Sequence, residues 1–187
     1  KVRFITDDHY YEDKTYYNAF YGPLEQAGIV VKNDNRSAQS HNKFVVIDGE
    51  RVWTGSNNFT INCSYYNANN ALYLESPEIA KFYAQEFAIE WTGKFGKNKT
   101  PLRQIFNTPE GAVEVCFDPQ PACAQDIDQV LKTADNNLSI AAFSFTDKIL
   151  SKTVQTIGPQ KNLTFRALLN APDCRYGAYQ YWKTLAP

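Results

Sequence analysis

A chain of 187 residues is long enough to bury a substantial core, and its content of 43% hydrophobic and 14% aromatic residues excludes a disordered tail in favour of one large or two small folded domains. A formal net charge of -1 supplies no global basic field for tight duplex binding, so any nucleic-acid contact must rest on a local groove. No apolar run approaches the roughly 20 residues that span a bilayer, and no charged-then-apolar segment opens the chain.

The four cysteines, Cys63, Cys116, Cys123 and Cys174, lack the C-x-x-C spacing of a zinc site. Cys116 and Cys123 are close enough in sequence for a local disulfide, and the even count leans toward an oxidising setting, secreted or periplasmic. Because it opens on Lys1 and contains no methionine, the chain is expected to be processed or a piece of a longer one.

Taken in order, the chain begins with an apolar run, Val2 to Thr6, that reads as a strand, followed by a polar loop from Asp7 to Lys14. Tyr16, Tyr17, Phe20, Tyr21 and Leu24 recur at helical spacing within Tyr16 to Ala27. Pro23 predicts that this helix is short or kinked, and Gly28 stops it before a strand at Ile29 to Lys32. After the polar loop Asn33 to Ser40, two runs rich in β-branched residues, Phe44 to Ile47 and Val52 to Thr54, flank Asp48-Gly49 and predict a hairpin. Ile61 to Asn69 reads as a loop rich in Asn and Tyr, and Ala71 to Glu75 as a further strand. Pro77 to Trp91 is the clearest helix: Ser76 caps it, Pro77 suits its first turn, and Ile79, Phe82, Tyr83, Phe87 and Trp91 form one apolar stripe. Gly93 to Gly111 has the composition of a linker, in which Lys94, Lys97, Lys99 and Arg103 read as solvated charges. Beyond it come strand Val113 to Phe117, turn Asp118-Pro119, helix Asp126 to Ala134, strand Leu138 to Phe145, helix Asp147 to Thr156 and strand Leu163 to Asn170. Such alternation predicts an α/β fold with a mixed, largely parallel β-sheet flanked by helices.

The chemistry concentrates at Ser40 to Thr60. His41 and Lys43, two residues apart in an extended segment, project to one side, and Asp48 follows at the hairpin turn. Gly55, Ser56 and Asn58 end the second strand, where a backbone without a Cβ lets a ligand approach and Asn58 can donate hydrogen bonds. Such a face suits a phosphodiester. A neutral imidazole can attack phosphorus, an ammonium can hold a non-bridging oxygen, and Ser and Asn donors can stabilise the charge that builds there, with no cofactor or metal required. A lone His-x-Lys carries little information, but here six positions fit H-x-K-x4-D-x6-G-S-x-N without a gap.

That pattern resembles the signature of the phospholipase D superfamily. Phe59-Thr60, with Asn67 and Asn70 just before the next strand, is similar to the bacterial nuclease branch. The resemblance implies a phosphodiesterase working through a phosphohistidine, with His41 as nucleophile or as acid/base partner. It places Lys43, Ser56, Asn58 and Asn70 on the phosphate and gives Asp48 a supporting part. Nucleic acid is the favoured substrate; phospholipid, or a non-catalytic phosphate-binding role, are the alternatives.

In that family two such motifs meet, because one imidazole cannot attack phosphorus and protonate the leaving alcohol in the same step. His9, the only other histidine, falls in the loop after the first strand and matches no family position. Leu163 to Asn170, followed by Tyr176, Tyr179, Tyr181 and Trp182, parallels Val2 to Asp8 followed by Tyr16, Tyr17, Phe20 and Tyr21. The chain is therefore expected to be a truncated pseudo-repeat of two phospholipase D-like domains: residues 1–92 close the first, 93–111 link, and 112–187 open the second and stop before its motif. The second histidine would come from an absent segment or from a partner chain, as in a homodimer.

Overall fold

The computed structural model of the chain describes residues 1–119 and 121–170, without the side chains of 121 and 122. Two units are distinct, Lys1–Phe117 and a second that begins at Asp118.

In the first unit, β1 (Arg3–Thr6) and β2 (Val30–Asn33) pair in parallel, with Arg3 opposite Val30. Between them the expected loop holds α1 (Asp8–Glu12), and α2 (Lys14–Tyr16), a π turn at Tyr17–Tyr21 and α3 (Gly22–Gln26) follow where a short or kinked helix is expected at Tyr16 to Ala27. Asp7 accepts from the His9 amide and Asp13 from those of Thr15 and Tyr16, so two carboxylate caps start helices where composition suggests loop. Pro23 has no N–H to donate, and the hydrogen-bond ladder widens just before it, the Gly22 amide reaching Tyr17 O.

The predicted hairpin forms as β3 (Phe44–Ile47) and β4 (Arg51–Gly55), and β5 (Ala71–Glu75) adds antiparallel to β4. Asp48 and Gly49 turn the chain at φ of 55° and 70°, a region that Asp and Gly tolerate. α4 (Ile61–Tyr65) replaces the loop expected at Ile61 to Asn69, because Thr60 caps it by accepting from the Cys63 amide. α5 (Pro77–Trp91) has the predicted Ser76 cap, and its Ile79, Ala80, Phe82 and Tyr83 pack with Val52 of β4 and with Phe106, Val115 and Phe117 in the core.

Residues 93–111 are not the linker that their composition suggests. A 3-10 turn at Gly96–Asn98 and strand β6 (Arg103–Thr108) occupy the stretch, and β6 pairs with β7 (Gly111–Cys116). Phe95, Lys99 and Phe106 are buried, hidden in the sequence among Gly, Asn and Pro.

In the second unit, α6 (Pro121–Lys132), β8 (Asn137–Ala142), α7 (Lys148–Lys161) and β9 (Thr164–Leu169) follow in order, and β8 pairs with β9 in parallel. Asp147 caps α7, Leu150, Thr153, Val154 and Ile157 are buried, and the Thr153 hydroxyl donates to Asp128 of α6. The aromatic segment expected at Tyr176 to Trp182, and Cys174, lie outside the described residues.

The fold is mixed α/β, as expected, but the described pairing is not largely parallel. Parallel pairs occur only at β1–β2 and β8–β9 among the described strands. The connections at 48–50 and 109–110 are too short for a crossover and force antiparallel neighbours. Cys116 and Cys123 are disulfide-bonded, and Cys63 is buried and free. Among the described residues no helix is long and apolar enough to cross a membrane.

Candidate active site

His41 and Lys43 stand in the segment that enters β3. The hairpin register sets Phe44 opposite Thr54, and the Thr54 hydroxyl donates to Lys43 O at 3.1 Å, so one step further Lys43 lies beside Gly55. The Lys43 ammonium donates to His41 O at 2.7 Å. Ahead of the pair, the Ser40 amide donates to Asp7 Oδ2 at 3.0 Å, tethering the segment to the end of β1. Gly55 is required by close approach, since a Cβ there would stand 2.2 Å from Asn70 O and 2.8 Å from Ala71 Cα. Ser56 fastens the same corner: its amide donates to Asn70 O at 3.0 Å, and its hydroxyl accepts from the Asn70 amide at 3.0 Å and donates to Asn69 Oδ1 at 2.9 Å.

Past that corner, the Phe59 amide donates to Asn57 Oδ1 at 2.7 Å in a local turn that brings Asn58 to α4. Asn58 Nδ2 donates to Cys63 Sγ at 3.3 Å, and Asn69 Nδ2 donates to Cys63 O at 2.8 Å. The Thr60 hydroxyl and then Asn58 hold the Cys63 thiol down to about 7.

Burial first, and then the charge of Lys43, push the His41 imidazole below its ordinary 6.5, while Asp7 opposes them. The ring is thereby kept neutral at neutral pH, the state that a nucleophile requires. Burial also lowers the Lys43 ammonium, opposed by Cys63. His41, Lys43 and the Cys63–Asn58 pair thus form one electrostatically linked group.

Among the predicted site residues, the structure joins the Lys43 ammonium to His41 O, Asn58 to Cys63, whose charge acts on Lys43, and Ser56 to the backbone of Asn70. Ser56 is engaged within the protein and shapes the corner. Asp48 is not brought to them. It sits at the far end of β3, about 13 Å of strand away, with a side chain 74% exposed and 3.2 Å from the Arg51 guanidinium. His9 is exposed on α1, its ring edge-on to Tyr10.

Sequence reasoning passed over Asp7, Cys63 and Asn69, and also Asn42, whose Nδ2 donates to Glu90 Oε1 at 2.9 Å. A polar residue alternating between His41 and Lys43, with glutamates one turn apart on the packed face of α5, was the available signal. Asp7, Asp8 and Asp34 bring carboxylate oxygens within 4.8 Å of one another, a spacing that could hold a cation. Asp34 is already engaged by the Asp8 amide and by Arg36 Nε, so the three also serve to clamp their loops.

Residues 1–91 match the family described as cardiolipin synthase, PLD-like domain. The mitochondrial cardiolipin hydrolase of Xenopus tropicalis is 40% identical over 91 residues, covering 49% of this chain and 42% of that protein. A phospholipase D of Rickettsia prowazekii (strain Madrid E) is 36% identical over 87 residues, covering 46% and 41%. Among solved structures, Nuc from Salmonella typhimurium, a phospholipase D family member, is similar at a TM-score of 0.45 and 24% identity, over 49% of this chain and 60% of that one. The chain spans less than half the length of these curated relatives. With the six motif positions in place and the family match running from β1 through α5, the first 91 residues are similar to the phospholipase D superfamily.

Proposed function

We propose that the chain supplies one half of a metal-independent phosphodiesterase site. The observation that carries this reading is the His41–Lys43 segment beside the Gly55–Asn58 corner, where the Lys43 ammonium donates to His41 O and its charge helps to hold the imidazole below its ordinary 6.5. Lys43 and Asn58 hold the non-bridging oxygens, and a ring nitrogen of His41 attacks phosphorus. The P–O bond to the leaving alcohol breaks as a second histidine gives that oxygen its proton. The same second histidine then deprotonates a water, which attacks the phosphohistidine and releases His41. In the reverse assignment His41 takes the acid/base part and the other imidazole attacks.

The second His-x-Lys segment comes from a further stretch of a longer protein or from a second copy of the chain. Nucleic acid is the substrate that the sequence pattern favours. A phospholipid reading is favoured by the names of the relatives, cardiolipin hydrolase and phospholipase D, and by the exposed apolar side chains of Phe59, Ile61, Tyr65 and Tyr66 next to Asn58.

The test is cleavage of bis(p-nitrophenyl) phosphate, single-stranded DNA and cardiolipin vesicles, each with chelator, by wild type and His41→Ala. Turnover by the chain alone is expected to be weak or absent, and whatever is seen is expected to be unaffected by chelator, lost in His41→Ala and rising per chain with chain concentration. A requirement for added divalent metal overturns the mechanism, and the preferred polymer or lipid decides the substrate class.

A further inference from the structure

Asn42 lies between the two residues on which the proposed site depends, and in an extended segment its side chain leaves the side taken by His41 and Lys43. It donates to Glu90 Oε1 at 2.9 Å and reaches Glu86 Oε1 at 3.5 Å. The two glutamates are one turn apart on α5 and both are buried, Glu86 at 0% and Glu90 at 6% exposure. The buried Lys99 ammonium pairs with Glu86, stands 3.9 Å from Glu90 and lies over the Phe117 ring at 5.7 Å.

Two carboxylates facing one ammonium leave an uncompensated negative charge where water is excluded, which is costly. Glu86 Oε2 is moreover buried without a hydrogen-bond partner among the described residues. One proton held between the glutamates removes both defects: it neutralises the group, and a protonated Glu90 gives Glu86 the missing donor. In agreement, burial and then the charge of Glu86 push the Glu90 carboxyl up to about 7, against the pull of Lys99. Apolar side chains of similar volume would fill this space at lower cost, so a role for the polar set has to be sought in what it touches, and it touches the catalytic segment.

We propose that Asn42, Glu86, Glu90 and Lys99 form the support that positions the His41–Lys43 segment, with a single proton shared by the two glutamates. The proposal rests on the phosphodiesterase reading, for which His41 and Lys43 are the catalytic residues; the four named here are positioning residues. When the shared proton leaves, the carboxylates repel one another and Asn42 is drawn to whichever oxygen gains charge, so the change is felt one residue away at His41. The charged and titratable groups involved are Glu86 and Lys99 around Glu90, Lys43 and Asp7 around His41, and Cys63 beside Lys43.

The imidazole signals of the chain's two histidines can be followed by NMR across the acid-to-alkaline range in wild type, Glu90→Gln and Asn42→Ala. Glu90→Gln keeps the shape and hydrogen bonds of the group and removes its titration, and Asn42 is exposed, so both variants are expected to fold. In wild type His41 should show its own inflection and a second, smaller one from the glutamate pair. Both variants should lose the second and keep the first. A single inflection in wild type, or a curve that neither substitution changes, overturns the proposal. Because no ligand or turnover enters this measurement, its failure leaves the phosphodiesterase reading standing, and the failure of that reading would show separately in the cleavage assay.

Discussion

His41 and Glu90 are displaced from their ordinary acidities in opposite senses, and each displacement has a consequence for stability against pH. The His41 ring, lowered from 6.5, resists protonation in the folded state, so its part of the stability is lost as pH falls through 6.5. The Glu90 carboxyl, raised from 4.5 to about 7, holds a proton that the unfolded chain releases. Its part is fully present below 4.5 and is lost as pH rises through about 7. Between about pH 5 and about pH 8 in denaturant unfolding, Glu90 therefore contributes a decline in stability toward the higher pH, which His41 and the lowered Cys63 thiol oppose equally in wild type and variant. Glu90→Gln should remove on the order of 1–3 kcal/mol of that decline. Asp34, raised chiefly by burial, acts with the same sign at lower pH and remains in the variant. An undiminished decline in Glu90→Gln would show that Glu90 is already ionised in the folded protein.

At the scale of elements, the β3–β4–β5 sheet holds the site, and its tightest point is Gly55 against Asn70 and Ala71. Gly55→Ala places a Cβ against backbone, which cannot swing aside as a side-chain tip can. We expect a loss of about 1–3 kcal/mol in unfolding free energy, the usual cost of overpacking, together with loss of the Ser56–Asn70 contacts; wild-type stability in this variant would mean that β5 has room to shift. The hairpin, the α5 cap and the apolar stripe of α5 were legible in the sequence because each has a local cause: Asp-Gly at positive φ, Ser76-Pro77, and Ile79, Phe82 and Tyr83 at helical spacing. The β6–β7 hairpin was not, since its burial is decided by distant partners on α5. Helices α1, α2 and α4 were missed because single Asp or Thr caps start them, and such caps resemble loop chemistry until the bonded amide is seen. Within the proposed site, the His41–Lys43 segment and the Gly55–Asn58 corner stand out in the sequence by their spacing, whereas Asn42, Glu86, Glu90 and Lys99 do not, because a buried ionic group is written in the sequence with the same letters as a solvated face.

For the molecule as a whole, the family match covers residues 1–91 and holds one His-x-Lys motif, so under the proposed reading the chain supplies a phosphate-binding face and one of the two histidines. Binding is consequently the property that the chain must show by itself, whatever supplies the second motif. The most direct measurement is the response of its two imidazoles to dimethyl phosphate, a phosphodiester too inert to turn over on the time scale of the experiment. The His41 resonances should move saturably while those of His9 stay in place. Lys43→Ala should weaken the binding at least about tenfold, the loss expected for one charge-assisted hydrogen bond. A His41 signal that ignores the phosphodiester, or binding that survives Lys43→Ala unchanged, would contradict a phosphodiester site at this hairpin.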